Sequence, residues 1–206
     1  MAGGVAKPVL ASKSLSLHAF VCGRNETEKA VKGRGLSLIR VSAAAGCPTR
    51  GHLIAGSRVF PVALGRGGIR VNKREGDGGS PRGKFRLLRI WWRSDRLPRP
   101  QTKLPLRKIT RGDGWCEDPK DKNYNRPVKL SPSTSADRLW RDDHLYDLIV
   151  ELDHNTRPRI PYRGSAVFIH FARKDFTPTA GCVALKRGDL QKLLSLLARD
   201  CWIEIR

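Results

Sequence analysis

The apolar residues of this chain come in short bursts, each broken after a few positions by glycine, proline or charge. That spacing admits strands far more readily than helices. Leu36–Val41 (LSLIRV), His52–Ala55 and Arg58–Leu64 are such bursts, separated by turn-forming residues. Lys84–Trp92 (KFRLLRIWW) is a further strand candidate. Leu145–Leu152 alternates, with Tyr146, Leu148, Val150 and Leu152 on one side and Asp147 and Glu151 on the other. Ser165–Phe171 (SAVFIHF) is apolar on both sides, which predicts a central strand with His170 near its end. Cys201–Ile205 alternates again as a closing strand. One segment departs from this pattern. Leu190, Leu193, Leu194, Leu197 and Ala198 follow helical spacing, with Asp189 suited to the first turn and Arg199 to the last. The expected architecture is mostly β, with few helices and one amphipathic helix near the C-terminus.

A chain of 206 residues suits one ordinary domain, or one domain plus a tail. Residues 1–32 carry neither period and read as a disordered leader or a weak export segment; Leu15–Cys22 is interrupted by Ser16 and His18. The domain is expected over 33–206. Residues 93–135, rich in Pro, Arg and Lys, are expected to leave the core as a long excursion. The longest apolar runs, such as Ala166–Ile169 and Cys182–Leu185, fall far short of the roughly 18 residues of a membrane span, so no transmembrane segment is expected.

Charge narrows the partners. Forty Lys and Arg against 19 Asp and Glu leave +21. Five basic and two acidic residues lie in 1–32, so +18 belongs to the body of the chain. Such a field favours anionic partners: nucleic acid, acidic headgroups or a carboxylate-bearing polymer. From Lys84 to Arg111 there are ten basic residues and one acid, Asp95, with Trp91 and Trp92 among them. This stretch suits a polymer-binding face or, equally, solvated strand edges that discourage aggregation.

Five cysteines, at 22, 47, 116, 182 and 201, show no CxxC and no zinc spacing, so neither a metal nor another cofactor is expected. The segment His170–Leu185 (HFARKDFTPTAGCVAL) holds most of the chemistry. A strand delivers a histidine, a loop with Pro178 follows, and Gly181-Cys182 leads into another apolar run. An imidazole can take a thiol's proton, and a glycine before the nucleophile lets a carbonyl approach closely. A core cysteine and a satisfied core histidine would look the same. Cys201 is expected in the core, and Cys116, beside Trp115, partly exposed. Neither they nor Cys22 and Cys47 are expected to react.

Upstream, Ser80-Pro81-Arg82-Gly83-Lys84-Phe85 is by itself a turn entering a strand. Taken with His170…Thr179-Ala180-Gly181-Cys182, it resembles the L,D-transpeptidase catalytic domain (YkuD-like) family. That family shows a [Ser/Thr]-Pro-x-Gly-x-Phe turn followed by a His…[Ser/Thr]-x-Gly-Cys signature. The segments Gly114–Val128 and Leu139–Leu152 are similar to its compact, envelope-associated bacterial branch. The resemblance covers roughly residues 34–206.

The resemblance implies a β-sandwich and a cysteine acyltransferase acting on peptidoglycan stem peptides in the periplasm or cell envelope. Cys182 would be the nucleophile, His170 the general base and acid, and Gly181 part of the catalytic turn, with nearby backbone amides as the oxyanion hole. A stem tetrapeptide would lose its terminal D-Ala to form a thioester, which an amine acceptor resolves. Where the family commonly has a histidine before the glycine, this chain has Ala180, and Ala184 replaces a frequent Arg or Asn. Arg173 is a candidate to hold a substrate carboxylate in its place, with Thr179 also at the substrate. Two other readings stay open: an L,D-carboxypeptidase or hydrolase on the same substrate, and a basic nucleic-acid-binding protein. The chain lacks an RNP-type motif, a basic helix and zinc fingers, so nucleic acid is not the expected partner.

Overall fold

A computed structural model describes residues 1, 3, 35–131 and 136–206. The leader assigned to residues 1–32 falls almost wholly outside the described residues. Strands β1 (Leu36–Ala44), β2 (Cys47–Ala55) and β3 (Arg58–Ala63) cover the three strand segments expected there and pair antiparallel in succession. Two short strands, β4 (Ile69–Arg70) and β5 (Ser80–Pro81), pair with each other. Then come β6 (Gly83–Trp92), β7 (Leu106–Lys108), β8 (Asp113–Trp115), β9 (Pro127–Lys129) and β10 (Asp137–Arg138). The chain ends with β11 (Leu148–Leu152), β12 (Phe168–Phe171), β13 (Val183–Leu185), a helix α1 (Arg187–Leu196) and β14 (Leu197–Ile205).

The main sheet runs β11-β12-β13-β3-β2-β1-β14-β6-β7, and β11 also pairs with β6, so the sheet returns on itself. This mostly β architecture, with one helix among the described residues, agrees with the expected class. Closure leaves few open edges on a long-stranded sheet. The enclosed core holds Ile39, Val41, Leu53, Ile90, Ile169, Val183, Leu190 and Ile203, none with any exposed surface. A second cluster packs on the opposite face of β6, β11, β12 and β13: Trp91, Ile109, Trp115, Leu139, Ile149, Phe168 and Cys182.

The helix stops earlier than its periodicity suggests. Leu197 turns extended, and Leu197 to Ile205 becomes a strand parallel to β1, with Ile203 opposite Ile39 and Ile205 opposite Val41. Sheet pairing thus overrides a helical pattern that nominally extends to Ala198, and Arg199 lies outside the helix. Strand β11 is buried on both sides rather than one. Glu151 is tolerated there because the Trp91 indole N–H donates to it at 2.8 Å and Arg89 lies 3.2 Å away.

Residues 93–131, the described part of the 93–135 stretch, are no loose excursion. Strand β7 joins the main sheet beside β6, and β10-β8-β9 form a small sheet of their own. Leu97, Leu104, Ile109, Trp115 and Tyr124 are buried. Cys116 is buried too, not partly exposed. The apolar residues of this stretch are spaced irregularly, so no period announces them, yet Leu97 and Leu104 join the main core and Ile109 and Trp115 the second cluster. Cys201 packs in the core as expected.

Candidate active site

Strand register brings Cys182 and His170 together. Strands β12 and β13 lie parallel, with Ile169 opposite Val183 and His170 opposite Ala184. Successive side chains of a strand point to opposite faces. Ile169, Phe171, Val183 and Leu185 therefore enter the main core, while Phe168, His170, Cys182 and Ala184 share the other face. Cys182 and His170 sit diagonally on neighbouring strands and line one cleft of about 420 Å³.

The histidine is held in one tautomer. Its Nδ1 lies 2.8 Å from the Phe171 carbonyl oxygen, which can only accept, so Nδ1 carries the proton and Nε2 is left as the basic nitrogen. The ring meets Tyr146 edge-on, at 5.4 Å between centroids. Burial pushes the imidazole pKa down to about 4, and the charges of Arg141 and Arg173 push the same way. His170 is therefore neutral near neutral pH.

The cysteine rests as a thiol. Its Sγ donates to the Ala166 carbonyl at 3.3 Å and receives the Phe168 N–H at 3.4 Å. Burial pushes its pKa up to about 12; the Phe168 N–H opposes this, while Asp137 and Glu117 add to it. No hydrogen bond joins Cys182 to His170 among the described residues. The pair is neutral and parked, so attack requires Sγ to leave the Ala166 carbonyl.

The turn before Cys182 is braced by hydroxyls. Thr179 Oγ1 accepts the Gly181 N–H at 3.1 Å and donates to the Cys182 carbonyl at 2.8 Å. Ser80 Oγ, from the Ser-Pro turn, donates to that same carbonyl at 3.2 Å and accepts the Gly65 N–H at 2.9 Å. Gly181 has φ +142°, and a Cβ there would lie 2.8 Å from the Gly79 carbonyl oxygen. The two sequence motifs, about a hundred residues apart, thus meet in one hydrogen-bonded turn.

The cleft carries both signs of charge. Lys73 is committed to Asp77 at 2.6 Å and Arg141 to Asp143 at 2.6 Å. Arg173 is half-exposed, and its ion-pair contact with Asp143 spans 3.9 Å, which leaves its guanidinium fork largely uncommitted. On the acid side, burial and the charges of Asp137 and Glu75 push the Glu117 carboxyl up to about 7. Ala180 is at the exposed rim, and Ala184 lies buried directly across from His170.

The bracing roles of two residues escaped sequence reasoning. Ser80 reads in sequence as a turn former, and its contact with Cys182 crosses the fold. Asn125 is buried at φ +54°. Its Oδ1 accepts from Trp115 Nε1 at 3.0 Å and from the Ala166 N–H at 3.2 Å; its Nδ2 donates to the His154 and Asn155 carbonyls. Asn125 thereby holds Ala166, whose carbonyl holds the Cys182 thiol. An asparagine in a Lys/Arg-rich stretch gives no pattern that would single it out.

No group of three His, Cys, Asp or Glu side chains among the described residues could hold a metal ion. No helix among them is long and apolar enough to cross a membrane. The geometry defines a closed β domain with a cysteine and a histidine on one wall of a charged cleft. A family model for the L,D-transpeptidase catalytic domain (YkuD) matches residues 50–205. The chain belongs to that family. Strand β1 precedes the matched region but is part of the same sheet. Among solved structures, the crystal structure of L,D-transpeptidase 1 from Mycobacterium tuberculosis is similar, at 14% identity and a TM-score of 0.37. That match covers 84% of this chain and 62% of the other, so the chain spans less than two thirds of that relative's length. No curated protein matches.

Proposed function

We propose that this protein is a cysteine-dependent L,D-transpeptidase that transfers a peptidoglycan stem peptide to an amine through a thioester on Cys182, in the periplasm or cell envelope. The observation that carries this reading is the shared cleft: a cysteine and a tautomerically fixed histidine, diagonal on adjacent strands, in a chain of this family.

In the forward half-reaction, Sγ swings from the Ala166 carbonyl toward the substrate and gives its proton to His170 Nε2. The thiolate attacks the peptide carbonyl, and backbone N–H groups beside Cys182 receive the developing oxyanion. The C–N bond to the terminal D-Ala breaks, and Nε2–H protonates the leaving amine. In the return half-reaction, an acceptor amine attacks the thioester, loses a proton to Nε2 and releases Sγ as thiol. A resting pKa gap, with thiol high and imidazole low, means that the ion pair forms only while substrate charge and hydrogen bonds support it. Arg173 offers its fork to a stem carboxylate. Thr179 borders the same cleft at the substrate side, while its hydroxyl steadies the turn.

Incubation with a stem tetrapeptide and a second stem as amine donor tests this by mass spectrometry. Released D-Ala with a cross-linked dimer is expected. D-Ala with a free tripeptide alone would assign a carboxypeptidase, and no turnover with folded protein would refute the reading.

A further inference from the structure

The segment from Lys73 to Gly79, between β4 and β5, touches both parts of the chain that hold the Cys182 thiol. The Glu75 N–H donates to the Tyr162 carbonyl at 2.9 Å, and the Glu75 carboxylate accepts from Ser165 Oγ at 2.8 Å. These bonds tie the segment to the stretch that leads to the Ala166 carbonyl. On the other side, the Gly79 carbonyl abuts Gly181, the residue before the nucleophile. Lys73 lies between the two contacts. A Cβ on Gly164 would lie 2.9 Å from Lys73 Cγ, and one on Gly181 would lie 3.6 Å from Lys73 Cε. Two glycines at positive φ thus flank the lysine stem.

The Lys73 side chain is 7% exposed, and its Nζ donates to Asp77 Oδ1 at 2.6 Å and to the Arg74 carbonyl at 2.9 Å. Asp77 is itself held by the Arg74 and Gly79 N–H groups, each at 2.8 Å, so the ammonium has a fixed place. Lys73 also lines the Cys182 cleft. Of the described cations bordering that cleft, Arg66 and Arg173 are exposed and Arg141 is half-buried; Lys73 alone is buried, so solvent screens its field least. Cys182 feels charges of both signs. Burial raises its pKa most, the Phe168 N–H lowers it, Asp137 and Glu117 raise it, and the Lys73 charge lowers it. The other titratable or charged groups around the cleft are Glu75, Tyr146, His170 and the three arginines.

We propose that Lys73 is a positioning residue for Cys182: its stem spaces the Gly164–Ala166 and Gly181–Cys182 segments, and its ammonium favours the thiolate once Sγ leaves the Ala166 carbonyl. The inference rests on Cys182 being the nucleophile, as proposed above. A cation already fixed beside the developing anion needs no reorganisation at the moment of attack. Asp77 shares that charge, so Lys73 biases the thiol rather than ionising it outright.

The test is the pH dependence of Cys182 alkylation by iodoacetamide in the full chain, read by peptide mass mapping, with half-buried Cys47 as the internal reference. Alkylation reads the thiolate rather than the thiol. Lys73→Met and Lys73→Gln remove the charge, and Lys73→Arg returns it. Both charge-free variants should slow Cys182 alkylation by about fivefold or more at each pH while Cys47 is unchanged, and Lys73→Arg should stand nearer wild type. A purely structural role predicts the opposite sign, because a loosened turn exposes Sγ and speeds alkylation. The proposal is overturned by a rate equal to or above wild type in either charge-free variant that folds by circular dichroism. Lys73→Arg as slow as Lys73→Gln, or failure of both charge-free variants to fold, would overturn it too. Alkylation needs no peptide, so a wild type that alkylates at Cys182 but turns over no stem peptide would fail the transpeptidase reading alone.

Discussion

Replacing Ser80 with alanine removes one oxygen from a side chain with no exposed surface. The buried Gly65 N–H loses the hydroxyl it donates to, and the Cys182 carbonyl loses one of two hydroxyl donors. An orphaned buried donor costs about 1–3 kcal/mol and a lost hydrogen bond about 1 kcal/mol, so Ser80→Ala should destabilise by about 2–4 kcal/mol. Thr179→Val should cost less, about 1 kcal/mol, because Thr179 is only half-buried and Ser80 still donates to the Cys182 carbonyl. The double variant is the sharper case. Either hydroxyl alone still satisfies the Cys182 carbonyl; with both gone, a buried acceptor is left with no hydroxyl donor. The two changes should therefore couple unfavourably by about 1 kcal/mol or more. Urea denaturation of the four proteins measures this, and carbapenem acylation in the folded state should slow by on the order of tenfold or more as the turn loosens. A Ser80→Ala protein within about 0.5 kcal/mol of wild type, or strictly additive changes, would refute the claim that this turn is braced from across the fold.

Two further outcomes follow from burial. His170 has its pKa held near 4, against 6.5 in the unfolded chain, so acid favours the unfolded state between those values. Stability due to this residue is present above pH 6.5 and lost as pH falls toward 4, by about 3 kcal/mol. Chemical denaturation of wild type and His170→Gln across that window should show the wild type losing more; superimposable curves would contradict it. Asn125→Ala leaves the Trp115 indole N–H, the Ala166 N–H and two carbonyls without this partner, and puts alanine at positive φ. A loss of about 3 kcal/mol or more is expected by urea denaturation, and a change under 1 kcal/mol would remove Asn125 from its bracing role.

The strands were legible because burial imposes a period on them. Ile39 with Val41, and Ile203 with Ile205, alternate because one face of β1 and β14 meets the core. The same rule misled at Leu148–Leu152, where a second cluster covers the far face and Trp91 and Arg89 make Glu151 tolerable. It misled again at Leu197 and Ala198, where pairing with β1 outweighs helical spacing. The residues of the candidate site were visible as a local cluster of His170, Gly181 and Cys182. Their relation was not, since it depends on the β12/β13 register. Ser80 and Asn125 act through contacts distant in sequence, and such contacts leave no local pattern.

The central claim is that Cys182 becomes a nucleophile when a reactive carbonyl enters the cleft. The most direct measurement is the intact mass of wild type and Cys182→Ala after incubation with a carbapenem, a β-lactam class expected from the family to acylate this cysteine. A single adduct on wild type and none on the variant is the predicted result. A folded wild type that takes up no adduct, or an adduct that persists in Cys182→Ala, would contradict it.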